Sequence, residues 1–236
     1  MLVHTKTHPG LVRASNQDAL LVMADAFGVA DGMGGHRGGE VASRMAVQVV
    51  ESALQGKTPA EDALNTAMEA ANRRIFEMGR RDVKLYGMGT TLTLLWEGPH
   101  EVWIGHVGDS RTYLYRNGEL IRQTEDHSMV AELLRGHFIT AEMAVEHPYR
   151  HVITRALGID SVIQPDVLKV EKKPGDLWLV CSDGLHNMLP DDRIAEVLGS
   201  LKGEKAAEKL LELAIERGGE DNITFALGAV AEVETL

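Results

Sequence analysis

Residues 89–122 read GTTLTLLWEGPHEVWIGHVGDSRTYLYRNGELIR, with leucine, β-branched and aromatic residues in runs broken at Gly98-Pro99 and Asn117-Gly118. Such runs read as strands, and the punctuation between them as tight turns. Strands are expected over 90–96, 101–107 and 112–115, joined as one antiparallel meander. Asn117-Gly118, between Leu114-Tyr115 and Leu120-Ile121, predicts a type I′ hairpin, a turn that needs positive φ at both central residues.

On either side the texture changes. Val41, Met45, Val49 and Ala53 recur at helical spacing between Arg37 and Leu54, as do Leu64, Met68, Ala71, Ile75 and Met78, so two amphipathic helices are expected, split by Gly56 and Pro59. Downstream come strand-like runs at 167–170 and 177–181, helices at about 191–198 and 204–217, and a last strand over 222–230. Helices in pairs and strands in meanders favour an α+β fold over βαβ winding. Residues 125–155 are polar and less regular, with His127, His137, His147, His151 and short helical candidates near Val130-Leu134 and Ala141-Val145. This stretch reads either as a cover over a site or as an ordinary helical insertion.

A chain of 236 residues that is 44% hydrophobic fits one globular domain over 1–236. Its net charge of -11 argues against a nucleic-acid or anionic-membrane surface, which needs clustered Lys and Arg. The lone Cys181 cannot form an internal disulfide and lies in an apolar run, which favours a reducing, cytoplasmic setting. Residues 1–10 hold no apolar stretch of signal-peptide length, and nowhere do about 18 apolar residues run together, so neither secretion by that route nor membrane spanning is expected. A monomer is the default expectation.

Five aspartates carry the chemistry. Asp18, Asp31, Asp109, Asp183 and Asp221 lie in short islands far apart in sequence, and the last four adjoin apolar strand-like runs, so they can converge at one end of a sheet structure. Carboxylates brought together raise one another's pKa, and oxygen-loving divalent cations such as Mg²⁺ or Mn²⁺ relieve the repulsion. A phosphate cradle competes as a reading of residues 32–39, but the run lacks the Gly-Lys-Ser/Thr ending of a P-loop, and Arg37 stands where a dinucleotide fingerprint needs its third glycine. A cysteine-phosphatase loop starting at Cys181 would need arginine where Asn187 stands, and no Gly-x-Ser-x-Gly elbow occurs.

The motifs Arg13-x-x-Asn16-Gln17-Asp18, Asp31-Gly32-Met33-Gly34-Gly35, Gly87-Met88-Gly89-Thr90-Thr91, Gly108-Asp109-Ser110-Arg111, Asp126-His127-Ser128, Thr154-Arg155-Ala156-Leu157-Gly158, Ser182-Asp183-Gly184 and Asp221-Asn222-Ile223-Thr224 occur in one order. In that order they resemble the metal-dependent PP2C-type (PPM) serine/threonine phosphatases, and most closely the compact bacterial members. The resemblance implies a central sandwich of two antiparallel sheets flanked by helix pairs, a four-layer αββα arrangement, with a flap at about 125–155. It implies two or three Mn²⁺ or Mg²⁺ ions per chain: Asp31 bridging two, Gly32 offering its carbonyl to one, Asp183 and Asp221 completing the ligands of the first ion, Asp18 holding water bound to the other, and Asp109 with Asp183 holding a third ion. Arg13 matches the phosphate clamp, whose planar fork suits a phosphoryl group.

Two departures stand out: Gln17 where many eukaryotic members are acidic, and Met33 where they carry histidine after Asp-Gly. Met33 cannot donate a proton, and His36 is the nearest histidine by sequence to act as leaving-group acid; the other reading makes it a plain loop residue. The implied reaction is attack of a metal-bridging hydroxide on phosphoserine or phosphothreonine in proteins, opposing Ser/Thr kinases in bacterial signalling, with no phosphoenzyme. Partners would be phosphoproteins and a cognate kinase. Two rivals remain: a two-metal phosphodiesterase or nuclease, disfavoured by the acidic surface, and an inactive phosphoprotein-binding relative, disfavoured by the intact set of five aspartates.

Overall fold

The computed structural model describes residues 1–34 and 38–231. In chain order these form β1 (Leu2–His8), β2 (Asp18–Val22), β3 (Ala26–Met33), α1 (Gly38–Leu54), α2 (Glu61–Arg81), β4 (Gly89–Thr90), β5 (Leu92–Glu97), β6 (Glu101–Val107), β7 (Arg111–Arg116), β8 (Glu119–Arg122), α3 (Met129–Arg135) and α4 (Ala141–Val145). There follow β9 (Asp166–Glu171), β10 (Leu177–Cys181), α5 (Asp183–His186), α6 (Asp191–Ser200), α7 (Gly203–Glu216) and β11 (Ile223–Ala229). One sheet runs β1-β11-β10-β7-β8 and the other β2-β3-β5-β6-β9, with β4 beside β3. Every pairing is antiparallel.

Alternation along each strand builds three cores. Phe27 and Val29 of β3, Leu95 of β5, Trp178 and Val180 of β10 and Ala226 of β11 meet between the sheets. The opposite faces of the same strands go outward: Ala26, Ala30, Leu92 and Leu94 to α1 and α2, and Leu179, Cys181, Phe225 and Leu227 to α6 and α7. Strands covered on both faces need apolar residues at nearly every position, which is why these segments read as continuous apolar runs. The result is the four-layer α+β arrangement, with no described helix long and apolar enough to cross a membrane.

Three details differ from the sequence reading. The expected single meander divides between the sheets, β5 and β6 in one and β7 and β8 in the other. The crossing falls at Gly108, whose φ of +111 turns the chain out of its first sheet. Secondly, α1 buries Ala42, Ala46, Val50 and Leu54, while Val41, Met45, Val49 and Ala53 are only partly buried beside them. The stripe is displaced by one residue because α1 starts in close backbone contact with β3: a Cβ on Gly39 would sit 2.6 Å from the Gly32 carbonyl oxygen. Thirdly, β1, β2 and α5 were not expected, since the first is a half-polar edge and the others are short. The hairpin has its expected form, with φ of 54 and 86 at Asn117 and Gly118 and Arg116 facing Glu119.

Candidate metal centre

The register of β2 against β3 places Asp18 directly opposite Asp31, so both carboxyl groups leave the sheet on one face. Antiparallel pairing then brings the remaining islands to the same end. The start of β5 adjoins the end of β6, where Asp109 follows Gly108 in the crossing, and Cys181 at the end of β10 pairs with Phe225 near the start of β11, so Asp183 and Asp221 flank those ends.

Local structure fixes the main chain beneath the acids. Asp31 is held by both threonines of Gly89-Thr90-Thr91: its carbonyl accepts from the Thr91 N–H at 2.9 Å and the Thr90 hydroxyl at 2.8 Å, and its own N–H donates to Thr91 Oγ1 at 2.9 Å. Asn222 ties the 9–17 loop to the start of β11: its Nδ2 donates to the Pro9 and Ser15 carbonyls, each at 2.9 Å, and its Oδ1 accepts from the Gln17 N–H at 2.8 Å. Gly108 is clasped by His127, which accepts the Gly108 N–H on Nδ1 at 3.1 Å and donates its backbone N–H to the Gly108 carbonyl at 2.7 Å. A backbone donor at Nδ1 leaves the ring hydrogen on Nε2, which lies 3.0 Å from Asp166 Oδ2.

The carboxyl groups themselves are under strain of charge. Burial pushes Asp18 up to about 7, against hydrogen bonds from Thr224 and Ser182, and Asp183 and Asp221 add repulsion. It pushes Asp109 up to about 8, with Asp183 and Asp126 adding to it. Asp31 stands well above the ordinary carboxylate range, through burial and then the charges of Asp18, Asp183, Asp109 and Asp221. Asp183 is raised by burial and by Asp221, and is eased by a hydrogen bond with Asp31 and by the charges of His151 and Arg13.

Polar satisfaction is incomplete. Asp18 Oδ2 accepts from the Ser182 hydroxyl at 2.9 Å and Asp183 Oδ2 from Asn187 at 3.0 Å. Among the described residues, Asp18 Oδ1, Asp109 Oδ1 and Asp183 Oδ1 are buried without a hydrogen-bond partner. Covered carboxylate oxygens of this kind fit hard divalent cations and the waters that accompany them. Among the described residues no three acid, imidazole or thiol groups close around one point. Asp221 is drawn instead to Arg13, whose Nη2 donates to its Oδ2 at 2.6 Å. The structure therefore gathers the five sequence-predicted aspartates, Gly32 and Arg13 at one end of the sandwich, while His36 lies outside the described residues.

A family model described as protein phosphatase 2C matches residues 12–214. The chain belongs to the protein phosphatase 2C family. It is 39% identical over 228 residues to the serine/threonine protein phosphatase PstP of Mycobacterium tuberculosis, covering 95% of this chain and 44% of that protein. It is 38% identical over 234 residues to the serine/threonine phosphatase stp of Listeria monocytogenes, covering 94% and 93%. The chain thus spans less than half of the mycobacterial relative and nearly all of the listerial one. Among solved structures, the PstP catalytic domain in complex with two manganese ions superimposes with a TM-score of 0.90 at 35% identity, covering 98% of each chain.

Sequence reasoning on this protein phosphatase 2C chain missed Asn222 as the tie between loop and strand, although Asp221-Asn222 was in view, because nothing in a dipeptide shows which distant carbonyls it meets. It also gave no role to His186, whose Nε2 lies 3.1 Å from the Asp109 carbonyl oxygen.

Proposed function

We propose that this chain is a single-domain, metal-dependent phosphatase that hydrolyses phosphoserine and phosphothreonine in proteins, opposing Ser/Thr kinases in bacterial signalling. The observation that carries this reading is the gathering of five aspartates at one sheet end with three covered, unpartnered carboxylate oxygens. Its likeness to serine/threonine phosphatases at 39% and 38% identity supports it, as does its likeness to the PstP catalytic domain in complex with two manganese ions.

In this assignment Asp31, Gly32, Asp183 and Asp221 would hold two Mn²⁺ or Mg²⁺ ions, with Asp18 beside them for metal-bound water, and Asp109 with Asp183 would hold a third ion. Bound divalent cations supply Lewis acidity and a coordinated water of lowered pKa. Arg13 is more than half exposed and free to leave Asp221, so its guanidinium can bind and orient a phosphoryl group through paired N–H donors. His36 is proposed as leaving-group acid by its place in the sequence. The 125–155 flap, anchored at its base by His127, is the proposed substrate-selecting element. A cytoplasmic monomer acting on phosphoproteins completes the reading.

The test is release of inorganic phosphate from a phosphothreonine peptide with Mn²⁺, with Mg²⁺ and with EDTA. Release with either metal and none with EDTA is expected. A folded protein that releases none under any condition would overturn the assignment in favour of a phosphoprotein-binding module.

A further inference from the structure

We propose that His186 is a positioning residue that fixes the spacing between Asp109 and Asp183 and thereby sets the affinity of the cation those two acids hold. This rests on the assignment of that pair to a cation made above. Asp183 opens α5 and His186 closes it three residues later, so the two ride on one helical turn. The ring Nε2 of His186 lies 3.1 Å from the backbone carbonyl oxygen of Asp109. A carbonyl only accepts, so Nε2 carries the hydrogen and donates it. One side chain therefore ties the element that bears Asp183 to the turn that bears Asp109.

The other bonds to this turn run elsewhere. Ser110 Oγ pairs with Thr91 Oγ1 at 2.8 Å, the Ser110 carbonyl accepts from Thr93 Oγ1 at 3.2 Å, and Gly108 is held by His127 at the base of the flap. These fix the turn to β5 and to the flap; the bond from His186 is what reaches α5. Asp109 Oδ1 and Asp183 Oδ1 are the covered, unpartnered oxygens on the two sides of this tie, so a small shift of turn against helix changes their separation directly.

The experiment is calorimetric titration of the full chain with Mn²⁺, alongside melting temperatures, for the wild type, D109A, H186L and H186Q. Glutamine places an amide N–H near the reach of Nε2, whereas leucine fills similar volume without a donor. We expect D109A to lose the weakest cation, and H186L to bind that cation about tenfold or more weakly with the tighter ones unchanged, as for other residues that orient metal ligands. H186Q should return close to the wild-type affinity. If D109A binds as many ions as the wild type, the assignment of the pair to a cation fails. If D109A loses the ion but H186L keeps wild-type affinity, or if H186L and H186Q lose melting temperature equally without differing in affinity, the role of His186 fails. Should H186L not fold, the wild-type protein decides: the His186 Nε2–H resonance is expected to move over the Mg²⁺ range that fills the weakest site and to stay still in D109A. Immobility in the wild type would overturn the proposal.

Discussion

Asp18 and Asp31 face each other across β2 and β3, an arrangement that costs stability when both are charged. The cost has a measurable sign. Asp18, at about 7, and Asp109, at about 8, stand above the ordinary carboxylate value, so in EDTA the folded chain binds more protons than the unfolded one between those limits. Stability from these groups is complete below the ordinary carboxylate range and is lost as pH rises through about 7 and 8. Urea midpoints in EDTA are therefore expected to fall between about pH 5.5 and about pH 8.5, less steeply in D18N and D109N, and to flatten when excess Mn²⁺ replaces the protons. A midpoint that rises over this window would contradict the burial of these acids. Arg13 supplies a second expectation, since it holds the Asp221 carboxylate that is also proposed for a cation. R13A should weaken inhibition by inorganic phosphate about tenfold, the scale of a lost charged hydrogen bond. Mn²⁺ should bind R13A at least as tightly as the wild type, because a competing positive charge has gone; weaker Mn²⁺ binding would show that Arg13 does not compete.

At the scale of elements, α1 meets β3 where Gly39 lies against Gly32. A methyl group on Gly39 would sit 2.4 Å from Gln17 Oε1 and 2.6 Å from the Gly32 carbonyl oxygen, so the helix start must back away from the residue proposed to offer that carbonyl. G39A is expected to lower the melting temperature and to weaken Mn²⁺ binding about tenfold or more, the change in affinity separating it from a change confined to the helix. Wild-type Mn²⁺ affinity in G39A would place the Gly32 carbonyl outside the cation site. Elements of this kind were legible where a local rule decides them: Asn117-Gly118 permits one turn, and Leu64, Met68, Ala71 and Ile75 all reach the core as their spacing requires. Where a distant partner decides, the sequence was silent. The stripe on α1 moved by one residue because backbone contact at Gly39 selects its face. The 89–122 segment split between sheets because strands apolar on both faces carry no mark of which sheet they join. The aspartates were legible because each stands beside a strand end and a chain of antiparallel pairs brings such ends together; the ties made by Asn222 and His186 depend on carbonyls far away in sequence.

For the whole molecule, three cores lie between four layers, and the acids are crowded at one end of the sandwich. The layers hold that crowding in place, so the unfolded chain, in which the five aspartates separate, offers no comparable site. Cations that bind only the folded form then stabilise it by mass action, about 2.7 kcal/mol for one site when free metal is a hundredfold above its dissociation constant. In a domain of this size that corresponds to a rise of roughly 5–10 °C in Tm. Chelation should remove it, and Tm should climb with the logarithm of Mn²⁺ concentration rather than reach a plateau at one equivalent. D109A, which leaves Asp31, Asp183 and Asp221 in place, should keep most of the EDTA-sensitive rise. A cavity placed far from the acids, such as Leu227→Ala in the core under α6 and α7, should lower Tm with and without metal and leave the difference between them unchanged, because distant sites contribute additively. An EDTA-insensitive Tm in the wild type would mean that the carboxylates are held together by the fold alone, and the metal centre would lose its thermodynamic support.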